Sequence, residues 1–271
     1  MFEKSLKGPI IYVRHAQTIY NKICIDKEKE LKTLDFVVFE EKWSKDLVDT
    51  SISEEGVNQT KILAQKIKDL NVTYVFVSPL NRCIETMYQS LKDHQNYNKL
   101  IIYVHPLLNE RICSSCDLSI KIEDKKKLFS NINLNFDYFD EYCSNSNINN
   151  DYFYTDFINY DKNKIIPNEY DKNIVNIIEY MRNTFTKRGD GIDGIEDNNC
   201  LFKRASNFKD FLKRFKQDKK IEGDEKVLVY THSKFIEMST SKIALNLTSV
   251  DIIPEDAYNV DNCEAVTMEL L

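Results

Sequence analysis

The sequence predicts an α/β fold, a three-layer α/β/α sandwich around a mostly parallel sheet. Three observations carry this. Four short apolar runs read as buried strands, and segments of helical period separate them. The last stretch alternates in the manner of an antiparallel edge strand.

Pro9 to Val13 (PIIYV) is the first strand, and it ends at Arg14-His15. A helical pattern from Ser53 to about Leu70 follows. Ser53 is its N-cap, and Ile62, Leu63, Ile67 and Leu70 form its core stripe. Tyr74 to Val77 is the second strand. It stops at Ser78-Pro79, and a helix from about Leu80 to Leu91 follows, which Ser78 is placed to cap. Leu100 to Val104 is the third strand, ending at His105-Pro106. From 111 to about 168 the chain is rich in Asn, Asp and Tyr, without a clean period. Tyr170 to Phe185 and Cys200 to Phe215 have helical spacing, and Gly189 to Asn199 between them reads as a loop. Val227 to Tyr230 is the fourth strand, ending at Thr231-His232. A helix from Ser233 to Leu245 follows, with Ser233 as its cap, and Glu264 to Leu270 is the edge strand. The expected organisation is a single domain over residues 1–271, with a cap insertion at about 111–195 lying over the carboxyl edge of the sheet.

A formal net charge of −6 disfavours a nucleic-acid or anionic-membrane surface. Seven cysteines without framework spacing read as a reduced, cytoplasmic protein. The longest apolar runs are far too short to span a membrane, and Met1 to Lys7 lacks the apolar stretch of a secretory signal.

Three strand ends deliver polar groups of matched type. The first brings Arg14, His15 and, shortly after, Asn21. The second brings Ser78 and, a helical turn on, Arg82. The fourth brings His232. A segment just past the third strand adds Glu110. In an open α/β sheet such groups converge at the carboxyl edge. Two arginines and two histidines around one point suit a phosphoryl group, whose oxygens the guanidinium fork binds in pairs.

Arg14-His15-Ala16-Gln17-Thr18 with Asn21 resembles the Arg-His-Gly-x-Thr/Ser…Asn signature of the histidine phosphatase superfamily, phosphoglycerate mutase-like branch. The stretch Ser78 to Thr86 is similar to that family's Ser-x-Leu-x-Arg…Thr motif. Leu108-Asn109-Glu110 is similar to its Leu-x-Glu segment, and Thr231-His232-Ser233 to its second-histidine motif. The resemblance implies a phosphoglycerate mutase-like fold and an enzyme that needs no metal. His15 would attack phosphorus and become phosphohistidine. Arg14, Arg82 and a protonated His232 would stabilise the transferring oxygens. Glu110 would serve as acid and then base, and Asn21, Ser78 and Ser233 would complete the phosphate site.

Two departures matter. Ala16 replaces the signature glycine, which is harmless unless the turn needs positive φ. The Trp-Arg-Arg type cluster that grips the substrate carboxylate in the family's mutases is absent, since the only tryptophan is Trp43. This favours a phosphatase acting on a small phosphorylated metabolite. The alternatives are a phosphoglycerate mutase, which alone would need a 2,3-bisphosphoglycerate primer, and a non-catalytic relative that binds a phospho-ligand or a protein. Homo-oligomerisation is left open.

Elsewhere the simpler readings are preferred. His94 and His105 are expected at the surface, Lys125-Lys126-Lys127 on a solvated face, and Lys234 at a solvated helix start. Cys113 and Cys116 form an isolated C-x-x-C without a second ligand pair.

Overall fold

The computed structural model describes residues 6–31, 40–188, 195–240 and 260–268. The strands are β1 (Ile10–Arg14), β2 (Asn71–Val77), β3 (Ile101–Val104), β4 (Leu134–Asn135), β5 (Glu225–Thr231) and β6 (Ala265–Met268). They form one sheet in the order β4-β3-β2-β5-β1-β6. All neighbours run parallel except β6, which pairs antiparallel to β1 at the edge.

Alternation along the strands builds two cores. Ile11 and Val13 face one side with Leu63, Ile67, Ile84 and Met87. Ile10 and Tyr12 face the other with Phe208, Leu212, Phe235 and Ile236. The first side carries α2 (Glu54–Ile67) and α3 (Asn81–Leu91), and the second carries α7 (Asn198–Asp218) and α8 (Ser233–Thr240). The three-layer sandwich follows from this period-two placement. The remaining helices are α1 (Ile19–Leu31), α4 (Ile122–Leu128), α5 (Asp137–Asn145) and α6 (Tyr170–Arg188). No described helix is long and apolar enough to cross a membrane.

Several expectations need correcting. In α2 the buried positions are Gly56, Thr60, Leu63 and Ile67, and Ile62 is 61% exposed, because a stripe through 56, 60, 63 and 67 turns position 62 to water. Ser53 does cap α2, accepting from Gly56 N at 3.1 Å. The aperiodic middle stretch contains α4, α5 and the short edge strand β4. His105 is buried among Phe208, Phe211 and Tyr138, and its Nδ1 accepts from Leu107 N at 3.3 Å. His94 is buried too, its Nδ1 accepting from Asn96 N at 3.1 Å. Lys125 is fully buried against Asp49 and Asn81, while its neighbours Lys126 and Lys127 are exposed. Ser233 is the first residue of α8 rather than its cap. The predicted loop at 189–194, the end of the last helix beyond Thr240 and residues 269–271 lie outside the described residues.

Candidate active site

The parallel ladder continues past the strand ends into the site. His15 N donates to Thr231 O at 3.0 Å, Ser78 N to Tyr230 O at 2.9 Å, and His105 N to Val77 O at 3.0 Å. Because β5 lies between β1 and β2, His15, His232 and Ser78 emerge side by side. The rings of His15 and His232 are 5.1 Å apart, centroid to centroid, at 61°.

His15 is buried, and its Nδ1 lies 2.7 Å from the carbonyl oxygen of Ala16. A carbonyl accepts only, so Nδ1 carries the hydrogen and Nε2 keeps its lone pair. Burial, with Arg82 and Arg14 nearby, holds the His15 imidazolium well below the usual histidine range, so the ring is neutral. The loop that follows is braced from two sides. Ala16 N donates to Thr86 Oγ1 at 2.9 Å. A Cβ on Gly56 would stand 2.3 Å from the carbonyl oxygen of Gln17, so glycine is needed for α2 to abut this loop. Ala16 is not among the residues of positive φ, so the signature glycine is dispensable here.

Arg82 uses all three nitrogens. Nε donates to His232 Nδ1 at 3.3 Å, Nη1 to Cys116 O at 2.6 Å and Nη2 to Asp117 Oδ1 at 2.9 Å. His232 therefore accepts at Nδ1, and its Nε2–H donates to Ser78 Oγ at 2.8 Å. Burial and then Arg82 hold the His232 imidazolium far below its ordinary range. In this arrangement it is neutral, not the cation expected from the sequence. Ser78 and His232 are both fully buried. Ser78 supports His232 from behind, bridging it to Leu80 N at 3.4 Å, and does not reach the cleft. Arg14 Nη1 donates to Val260 O at 2.7 Å, while its buried Nε has no partner. Such an orphaned donor at a strand end is where an anion's oxygen would bind.

Glu110 is half-buried, and its Oε1 accepts from Arg111 N at 2.8 Å. Burial raises its carboxyl to about 7, helped by Asp117 and opposed by Arg82. The loop carrying it is clamped by Arg204, whose Nη1 donates to Leu107 O at 2.7 Å and Asn109 O at 2.8 Å, and whose Nη2 donates to Glu110 O at 3.2 Å. Glu196 holds Arg204 through two bonds at 2.8 and 2.7 Å, and its Oε2 also accepts from Ile112 N at 3.2 Å.

Asn21 Oδ1 accepts from Thr18 N and Thr18 Oγ1 accepts from Asn21 N, a reciprocal brace at the start of α1. Its amide nitrogen stays open at the cleft. Ser233 does not line the cleft and makes no side-chain hydrogen bond among the described residues. The cleft holds about 640 Å³ and is lined by Arg14, His15, Tyr20, Arg82, Glu110 and Lys42, among others.

Asp117, Arg204 and Glu196 are functional groups that the sequence reading missed. Only Asp117 had a local signal. Ser114-x-x-Asp117 is a capping box, and Asp117 Oδ2 accepts from Ser114 N and Cys113 N at 3.0 Å each.

Side-chain ligand atoms of His15, Glu110 and His232 lie within 4.8 Å of one another, close enough to surround a metal ion. Arg14 and Arg82 would repel such an ion, and one ring nitrogen of His15 and both of His232 are already bonded. The charge balance suits an anion with several oxygens.

Residues 10–133 match the model of the histidine phosphatase superfamily, branch 1. This stretch is similar to that superfamily. A probable phosphatase of Schizosaccharomyces pombe is 35% identical over 86 residues, 31% of this chain. The match spans only 39% of that relative's length. Two solved structures are similar at lower identity. A phosphoglycerate mutase from Bacillus anthracis is 16% identical, with 97% of this chain and 90% of that chain covered at a TM-score of 0.45. The alpha-ribazole phosphatase from Shigella flexneri is 15% identical, with 84% and 75% covered at a TM-score of 0.41. Likenesses at this level say nothing about a substrate.

Proposed function

We propose that this histidine phosphatase is a phosphomonoesterase that works without metal through phosphohistidine at His15, acting in the cytoplasm on a small phosphorylated metabolite. One observation carries the reading. A neutral His15, its Nδ1–H tied to Ala16 O, leaves Nε2 free beside the unpartnered Nε of Arg14.

In the first step Nε2 attacks phosphorus in line. The P–O ester bond breaks as the P–N bond forms, and protonated Glu110 gives its proton to the departing alkoxide. In the second step water attacks phosphorus, Glu110 takes a proton from it, and the P–N electron pair returns to Nε2. Arg14 and Arg82 offset charge on the equatorial oxygens throughout. With the dianion bound, a proton taken up by His232 would go to Nδ1, and Arg82 Nε would have to release that atom while Ser78 keeps accepting from Nε2.

The test uses EDTA-treated protein with an aryl phosphate, and separately with 3-phosphoglycerate plus a trace of 2,3-bisphosphoglycerate. Hydrolysis and an acid-labile phosphoenzyme are expected, both abolished in His15→Ala. Rapid formation of 2-phosphoglycerate would make it a mutase instead, and no turnover with no phosphoenzyme would leave a phospho-ligand binder.

A further inference from the structure

The turn Glu40–Trp43 packs against the turn Ser115–Asp117, which holds Arg82. Lys42 on the first turn lines the cleft and is only 8% exposed. Its ammonium sits 4.2 Å from the centroid of the Phe185 ring and 5.6 Å from that of Trp43. Among the described residues it has no carboxylate partner and no hydrogen bond.

That sets Lys42 apart from the other buried cations. Arg82 is bonded to Asp117, Lys125 to Asp49 and Arg204 to Glu196, and Arg111 donates to Asn198 Oδ1 at 2.9 Å. A cation whose side chain is packed away to this degree is normally paired, and the Lys42 nitrogen keeps its access to the cleft. Two ring faces compensate Lys42 only in part. The cleft is the side from which an anion can complete it.

The cleft that Lys42 shares with Arg14 and Arg82 presents more apolar than polar surface. Tyr20 and Ile25 line it, and Ile25 is 37% exposed. A ligand filling the cleft would have two arginines, apolar surface and a lone ammonium within its walls. We propose that Lys42 is a second anion-binding position, selecting phosphomonoesters that carry a carboxylate or a further phosphate at the far end of an apolar spacer. This rests on the phosphomonoesterase reading, which places the first phosphate at Arg14 and Arg82.

Calorimetric titration tests it without requiring turnover. The probes are benzylphosphonate, its 3- and 4-carboxy derivatives, and the matching bis-phosphonate. At least one doubly charged probe is expected to bind about tenfold tighter than benzylphosphonate, the gain of one partly desolvated ion pair. Whether the carboxylate or the second phosphonate gains more identifies the anion. The preference should survive in Lys42→Arg and fall to near one in both Lys42→Met and Lys42→Gln, two variants that differ in how they could perturb folding. Equal binding of singly and doubly charged probes by the wild type would overturn the proposal, as would a preference that persists in Lys42→Met. A Lys42-dependent preference without hydrolysis of the corresponding aryl phosphates would keep the anion position and sink the phosphomonoesterase reading. No binding of any probe would overturn both.

Discussion

Asp117 accepts from Arg82 Nη2 at 2.9 Å with both side chains 3% exposed, and the same carboxylate raises the carboxyl of Glu110. One residue thus orients the cation proposed to bind phosphate and raises the carboxyl proposed as the acid. Asp117→Asn keeps the shape and removes the charge. The pH at which kcat falls should move down from about 7, and kcat/KM should drop on the order of tenfold. A pH–rate profile checks this. A weaker KM with an unmoved profile would confine Asp117 to Arg82.

In the wild type, Glu110 must start protonated, so activity is full below about 7 and is lost as pH rises through that value. His15 must start neutral, and its imidazolium is held well below 6.5, so the acid limb lies below the range of an ordinary histidine. A plateau from mildly acidic pH to about 7 is expected. Glu110→Gln should abolish the alkaline limb and lower kcat by roughly 10²–10⁴-fold.

Arg204 and Glu196 act on Glu110 through the main chain. Arg204→Lys cannot reproduce three carbonyl contacts from a planar fork. It should lower kcat by about tenfold or more with KM nearly kept, since neither residue binds the phosphate. A matching loss in Glu196→Gln, with Tm measured in parallel, would separate positioning from general unfolding. Equal losses in kcat and folded fraction would point to a structural role alone.

Lys125 and Asp49 form a fully buried ion pair, and Asp49 also accepts from Asn81 N, one residue before Arg82. Lys125→Met strands the carboxylate. A loss of about 3 kcal/mol is expected, a Tm drop of several degrees in thermal unfolding. An unchanged Tm would show that the backbone donors to Asp49 suffice.

His105 is buried neutral, and burial pushes its imidazolium down to about 3. The unfolded chain takes up this proton below about 6.5 and the folded chain does not, so stability present above 6.5 is lost as pH falls toward 3. The slope from this group alone approaches about 1.4 kcal/mol per pH unit. His105→Asn keeps an acceptor for Leu107 N and does not titrate, so denaturant unfolding at pH 4 to 6.5 should show a shallower acid dependence.

The strand ends were legible because a buried parallel strand is a run of apolar β-branched residues, and the polar group that interrupts it has nowhere to stand except the sheet edge. Arg14, His15 and His232 declared themselves this way, and Arg82 followed a helical turn after the second strand end. Arg204 and Glu196 did not, because their partners lie 97 and 84 residues away and no local period marks such pairs, and Asp117 showed only as the end of a capping box, its partner Arg82 lying 35 residues away. Lys125 read as one of three solvated lysines because composition cannot show that Asp49 waits beneath only one of them. Ile62 read as core because it neighbours Leu63, although a helix turns adjacent residues about 100° apart. Ser78 was read at the helix start, where it does reach Leu80 N, but its closer partner is His232, which only the β2–β5 pairing brings near.

The bond from His15 Nδ1 to the carbonyl of Ala16 joins neighbours along a single stretch of main chain. In many histidine-dependent enzymes a separate acidic side chain fixes the tautomer and is open to genetic loss. Here the tautomer is inherited with the peptide bond itself. No substitution of a distant side chain can delete it directly, and even a change at position 16 leaves the carbonyl in place. Drift can silence this nucleophile only by replacing the histidine or by unseating the loop that presents it.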